Sequence, residues 1–197
     1  MVIGLTGGIA SGKSEVCRIL MKKGFIHIDA DEVAHEVLEF PNVINEILSE
    51  FGTEVITEDN NGHKHVDRKK LGKIVFDNTD KMDKLENITH PRIVQQIKGM
   101  INNNPNDYII EAIEIVRSGL VNICDELWVI HAEPEQQIKR LIENRHFSFE
   151  EACSRLKAQE DHDWDETKAD RVIYSTEPIE SMEKQVLDAL DQINRSK

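Results

Sequence analysis

Gly7-Gly8-Ile9-Ala10-Ser11-Gly12-Lys13-Ser14 decides the fold of this chain, because a glycine, four residues and then Gly-Lys-Ser is the pattern of a phosphate-binding loop. Its neighbours supply the required context. Upstream, residues 2–6 form a short apolar run ending at two glycines, the profile of a strand buried on both faces. Downstream, Val16, Cys17, Ile19 and Leu20 recur at helical spacing and Gly24 gives the stop signal. From average residue usage, chance produces the pattern on the order of once in a hundred chains of this length, before that context is counted. Glycines let successive backbone N–H groups converge on phosphate oxygens, and the helix N-terminus adds a positive field. Gly8, Ile9, Ala10, Ser11, Gly12, Lys13 and Ser14 are therefore the expected nucleotide-binding residues. Lys13 reaches the β and γ phosphates, and Ser14 offers its hydroxyl to a Mg²⁺ ion that bridges them.

Outward from the loop the chain alternates. Residues 25–28 read as a second strand, followed by Asp29 and Asp31 and a helix in which Val33, Val37 and Leu38 share a face. Strand, loop, helix, strand, loop, helix opens a parallel α/β sheet. The sheet resumes at 108–112, 126–132 and 171–174, each run short, apolar and bounded by polar residues. The expected fold class is α/β, a three-layer phosphate-loop NTPase fold with a central parallel five-stranded sheet. Residues 43–51, 68–76 and a long stretch around His90-Pro91 read as helices, and the polar, turn-rich 57–67 segment as a loop between them. The whole chain, 1–197, reads as one phosphate-loop domain. Its sheet comes from 1–31, 105–133 and 169–197, and residues 32–104 form a helical insert. Residues 134–160 carry two charged helices joined at His146-Phe147, with Ser148 and Glu151 as a capping box, and form a helical lid. Residues 179–193 are a final amphipathic helix.

Composition narrows the function classes. The chain has 39% hydrophobic and 31% charged residues, an ordinary globular balance. Its 24 basic against 37 acidic residues give a formal charge of −13, which disfavours generic attraction to nucleic acid or an anionic membrane. Any anionic ligand must be held by local cations. Cys17, Cys124 and Cys153 are too widely spaced for a disulfide framework or a zinc motif and read as reduced, buried thiols. No basic n-region precedes a long apolar stretch near the start, so the expected compartment is the cytoplasm. His63 and His65 flank Lys64 near Asp59, a weak metal signal.

A phosphate loop alone does not separate kinases from GTPases. No Asn-Lys pair occurs to begin a guanine-reading Asn-Lys-x-Asp segment, and Asp59-Asn60-Asn61-Gly62 sits in a polar stretch, so a GTP switch ranks low. Asp29-Ala30-Asp31 lies at the carboxyl end of the second strand, on the loop's own edge of the sheet. A carboxylate there can take the proton of an acceptor hydroxyl. Asp31 is the expected base, with helix capping or metal orientation the competing role for one of the pair. Arg140 and Arg145 lie on the first lid helix, where they can close over ATP and neutralise the transferring phosphoryl group, or simply form solvated helix surface.

The ordered segments Gly-Leu-Thr-Gly-Gly-Ile-Ala-Ser-Gly-Lys-Ser at 4–14, Ile-Asp-Ala-Asp-Glu-Val-Ala at 28–34 and Glu-Val-Leu-Glu at 36–39 resemble the dephospho-coenzyme A kinase family. Phe51-Gly52, Asp67-Arg68-Lys69-Lys70-Leu71, Val75-Phe76, His90-Pro91-Arg92-Ile93, Arg140-Leu141 to Arg145, 155–159 and Ala169-Asp170-Arg171-Val172-Ile173 extend the resemblance over nearly the whole chain. It implies transfer of the γ phosphate of ATP to the ribose 3′-hydroxyl of dephospho-CoA, the last step of coenzyme A synthesis. Asp31 is then the base, with Lys13 and Arg140 catalytic and Arg145 on the nucleotide. Asp29, His35, Arg68, His90, Arg92 and Glu111 fall on the acceptor side, with a buried structural histidine the alternative for His90. Four places depart from the family's usual residues. Glu15 follows Gly-Lys-Ser where threonine is usual, and His35 stands where arginine is common. Residues 111–117 read Glu-Ala-Ile-Glu-Ile-Val-Arg in place of roughly Asp-x-Pro-Leu-Leu-Phe-Glu, and Ser175-Thr176-Glu177 replaces Asn-x-Gly on the adenine side. The competing readings are a kinase of the same fold acting on a nucleoside or nucleotide, and a non-catalytic nucleotide-binding regulator. The expected assembly is a monomer or weak homo-oligomer.

Overall fold

The computed structural model describes residues 1–159, 166–176 and 178–196. Residues 161–165 lie outside them, as do the last residue of the expected lid, 160, and Glu177. Two compact units appear, residues 1–28 with 105–197, and residues 29–104. From sequence the division falls at 31 and 32. Among the described residues no helix is long and apolar enough to cross a membrane.

The first unit is the expected sheet. Strands β1 (Val2–Thr6), β2 (Ile26–Asp29), β5 (Tyr108–Glu111), β6 (Glu126–His131) and β7 (Arg171–Tyr174) lie in the order β2-β5-β1-β6-β7. Parallel ladders pair Ile3 with Ile109, Leu5 with Trp128 and Val129 with Val172. Helices α1 (Lys13–Lys22) and α8 (Ile179–Ser196) lay Val16, Ile19, Leu20, Met182, Val186 and Ile193 onto Ile3, Leu5, Trp128 and Ile130. A Trp128 indole with no exposed area needs its N–H satisfied, and it donates to Glu126 Oε2 at 2.7 Å. The same carboxylate takes a forked pair from Arg171 at 2.8 and 3.1 Å, which pins β7 to β6. Helix α1 ends as the sequence expects: Gly24 sits at φ +94°, and the N–H groups of Phe25 and Gly24 close on the carbonyls of Leu20 and Met21.

The second unit packs α2 (Ala30–Val37), α3 (Pro41–Phe51) and α4 (Arg68–Val75) around the long α5 (Thr79–Asn103). Val33, Val37, Val43, Ile47, Leu71, Ile93 and Ile97 are buried among them. The 57–67 stretch is not a plain loop. It folds as a two-stranded antiparallel hairpin, β3 (Ile56–Glu58) with β4 (Lys64–Val66), pairing Ile56 with Val66 and Thr57 with His65. Its turn is made by the Asp59 carboxylate, which accepts from the N–H groups of Asn61 (2.8 Å) and His63 (2.9 Å), while Gly62 takes φ +79°. Strands of three residues with one apolar pair carry too little alternation to be read from sequence. The cysteine expectation also needs correction. Cys17 is buried, but Cys124 and Cys153 are only half-buried, and none of the three is in a disulfide.

His65 stands between two carboxylates, with Nδ1 on Glu39 at 2.7 Å and Nε2 at 3.9 Å from Asp59. The bond to Glu39 raises its pKa above the ordinary histidine value. A raised folded-state pKa stabilises the hairpin fully below the unfolded value of about 6.5, and that contribution disappears as pH rises through the folded value. Ring-proton NMR titration will therefore show His65 titrating above about pH 6.5, and Glu39→Gln will bring its midpoint down while flattening the loss of thermal stability between about pH 6 and pH 8.

Candidate active site

The phosphate loop spans Gly7 to Gly12 between β1 and α1, and its shape follows from two backbone demands. Gly7 takes φ +146°, and a side-chain carbon there would lie 2.4 Å from the Ile130 carbonyl oxygen of β6. Gly12 takes φ +110°, and a side chain there would meet Ser175 Oγ at 2.7 Å. Only glycine meets both conditions. Lys13 folds back so that its ammonium donates to the carbonyls of Gly7 (2.8 Å) and Gly8 (3.1 Å). Ser14 is exposed in the first turn of α1. Ser11 Oγ is buried without a hydrogen-bond partner in the protein, an orphaned donor inside an anion-shaped turn.

Three side chains from the 134–159 region hold this loop from outside. Arg140 of α6 (Pro134–Arg145) donates to the carbonyls of Ala10 and Ser11, both at 3.1 Å, and to Ser175 Oγ at 2.8 Å. Gln137, one turn earlier, donates to Ile9 O at 2.9 Å, and Gln159, beyond α7 (Phe149–Lys157), accepts from Ile9 N at 2.7 Å. Arg140 is thus spent on loop carbonyls, which turns the opposite, N–H side of those peptides away from it. Arg145 lies five residues on, about 140° round the helix, and is exposed. Gln137 had no motif to mark it, and its only signal was the face it shares with Arg140 at i,i+3 spacing, whereas Gln159 ends the 155–159 segment of the resemblance.

Glu15, the departure beside Ser14, is paired with Arg18 one turn later, and that bond holds its carboxyl below the usual range. Its charge is thereby partly neutralised. Glu111 ends β5 and contacts His27 Nε2 at 3.1 Å and Cys17 Sγ at 3.4 Å. The bond from His27 is the largest influence lowering its pKa, with the Lys13 charge adding to it. Beyond the loop, His131, Ala132, Glu133, Lys139, Tyr174 and Thr176 line a cleft of about 410 Å³, in which the His131 and Tyr174 rings lie 5.5 Å apart.

The remaining candidates belong to the 29–104 unit. Asp29 is the N-cap of α2, accepting from the N–H groups of Asp31 (2.9 Å) and Glu32 (3.4 Å), so the capping role falls to it and leaves the Asp31 carboxylate exposed in the first turn. His35 is exposed one turn later on the same face. Arg68 is exposed at the start of α4, which Asp67 caps. His90 is half-buried on α5, and Arg92 bonds Glu46 and the Ile88 carbonyl. The weak metal signal at His63 and His65 is used up differently: His63 pairs with Asp59, and the ligand atoms of this group do not converge.

A family model described as dephospho-CoA kinase matches residues 1–180. The chain is similar to a dephospho-CoA kinase of Carboxydothermus hydrogenoformans, 39% identical over 196 residues that cover 97% of this chain and 93% of the relative. It is 38% identical over 187 residues to one of Fusobacterium nucleatum, covering 94% and 95%. The solved structure of dephospho-CoA kinase from Campylobacter jejuni matches with a TM-score of 0.59 at 28% identity, covering 98% of this chain and 96% of that one.

Two glycine substitutions separate strain from collision. Gly24→Ala meets nothing within 4 Å and costs only the positive-φ strain, about 1–2 kcal/mol. Gly7→Ala adds a backbone clash, and we expect a larger fall in melting temperature together with loss of ATP binding by calorimetry, where Gly24→Ala retains it.

Proposed function

The chain belongs to the dephospho-CoA kinase family, and from that membership we propose that it transfers the γ phosphate of ATP to the ribose 3′-hydroxyl of dephospho-CoA. The observation that carries this is the phosphate loop in its strand-to-helix setting, within a match to that family over residues 1–180. The family match does not favour a nucleoside or nucleotide kinase of the same fold, or a non-catalytic regulator. We read the protein as cytoplasmic and acting as a monomer or weak homo-oligomer.

In this reading the loop N–H groups and the orphaned Ser11 hydroxyl take the phosphate oxygens, and Gln159 gives up Ile9 N–H as the nucleotide enters. Lys13 exchanges its two loop carbonyls for β and γ oxygens, a strong trade because the new partners are charged. Arg140 keeps the loop carbonyls turned back, a positioning role beside the catalytic one expected from sequence. The cleft lined by His131 and Tyr174 suits an adenine ring, and Arg145 is available for the lid side of the nucleotide. The oxygen donors present suit Mg²⁺: Ser14 would hold it, and bound there it offsets charge on the β and γ phosphates. Asp31 takes the proton of the 3′-hydroxyl as that oxygen bonds to the γ phosphorus and ADP leaves. Asp29 orients Asp31 through their shared helix start. His35, Arg68, His90, Arg92 and Glu111 bind the acceptor, with Arg92 paired to Glu46.

A coupled assay with dephospho-CoA, ATP and magnesium tests the proposal. Turnover of a nucleotide but not of dephospho-CoA overturns the acceptor assignment. Asp31→Asn will lower kcat by about 10²-fold or more with ATP binding retained, and Lys13→Ala will lower kcat/KM by about 10²–10³-fold. Wild-type turnover in Asp31→Asn removes Asp31 as the base.

A further inference from the structure

Three unlike ligand groups from three separate elements meet at one point beside the phosphate loop. Cys17 comes from α1, one turn after Lys13 and on its face; His27 comes from β2, and Glu111 from the end of β5. Their ligand atoms all lie within 4.8 Å of one another, and among the described residues no other His, Cys, Asp or Glu set converges in this way. A tetrahedral zinc site with ordinary bond lengths places a nitrogen and an oxygen ligand about 3.4 Å apart and a sulfur and an oxygen about 3.6 Å apart. Here Nε2 of His27 lies 3.1 Å and Sγ of Cys17 lies 3.4 Å from Glu111 Oε2. Two of the three edges are within a few tenths of an ångström of a metal-bound set.

We propose that Cys17, His27 and Glu111 form a three-ligand site for a borderline-soft divalent ion such as Zn²⁺, separate from the hard-oxygen Mg²⁺ at Ser14. The donor set selects the ion: a thiolate and an imidazole suit zinc and are poor ligands for magnesium, which demands oxygen. On binding, the Cys17 thiol proton leaves to solvent and the imidazole keeps its proton on Nδ1, so that Sγ and Nε2 both donate electron pairs. The thiolate and carboxylate together balance the ion's charge. Cys17 itself is 1% exposed, but the His27 and Glu111 side chains keep 26% and 18% of their area open, and they give the route in. An ion here takes Glu111 away from its balancing of Lys13 and fixes α1 to β5. It thereby lowers phosphoryl transfer, a consequence that rests on the function proposed above, whereas binding itself does not.

Co²⁺ added to the magnesium-free protein is the direct probe. We expect a thiolate-to-cobalt charge-transfer band that saturates at one ion per chain, grows with pH and is displaced by Zn²⁺. The other thiols are controlled for: burial pushes Cys124 up to about 12, and Cys124→Ser and Cys153→Ser should leave the band intact. Cys17→Ser should abolish it and weaken Zn²⁺ by at least about 100-fold. His27→Gln, at a partly open side chain, serves as the second variant should Cys17→Ser not fold, with an expected loss of at least about 10-fold in Co²⁺ affinity. No band in the wild type, a band that persists in Cys17→Ser, or unchanged affinity in His27→Gln overturns the site. In the coupled assay Zn²⁺ should inhibit the wild type and spare Cys17→Ser. Equal inhibition of both overturns the regulatory consequence while leaving the binding site intact.

Discussion

A backbone-to-backbone approach at Gly7 is the constraint on which the active region depends. The chain leaves β1 and turns so tightly under β6 that only a residue without a side chain clears the Ile130 carbonyl. Everything downstream inherits that turn. It sets the position from which α1 begins, aims the first N–H groups of that helix, and places Lys13 where its ammonium reaches back over the loop. The cost in conformational freedom is carried by the buried sheet behind it, where Ile3, Leu5 and Trp128 show no exposed area.

The second level of control is exerted on carbonyls. A phosphate site needs its N–H groups facing inward, so the opposite ends of those peptides must be satisfied elsewhere. Arg140 and Gln137 do this for Ile9, Ala10 and Ser11. Both project from one face of α6, so any movement of that helix pulls on the loop itself. The helix expected from sequence to belong to a lid is thus seen holding the carbonyls of the loop.

Glu111 illustrates how local chemistry changes a residue's meaning. Read alone, it is an acid at the end of a strand. Folded, it takes a bond from His27, touches the Cys17 thiol and feels Lys13. Those three influences arrive from two helical turns of α1 and from a neighbouring strand, and each would be invisible without the sheet order β2-β5-β1.

What the sequence determined by itself was whatever is encoded within one element or its junction. The glycine spacing and the flanking apolar runs fixed the strand, loop and helix. The short buried runs fixed the other strands of the sheet, and Gly24 and the Ser148–Glu151 capping box fixed helix ends, because backbone conformation and periodicity are local properties. The 56–66 hairpin escaped because its three-residue strands have almost no pattern of their own and are held by the Asp59 turn and the Glu39–His65 bond. The loop's glutamine anchors, the Glu15–Arg18 pair and the Cys17, His27 and Glu111 cluster likewise needed the tertiary structure. Side chains carry donors and ligands whose partners are chosen by distance in space, and residues 94 and 84 positions apart become neighbours only once the parallel strands have registered.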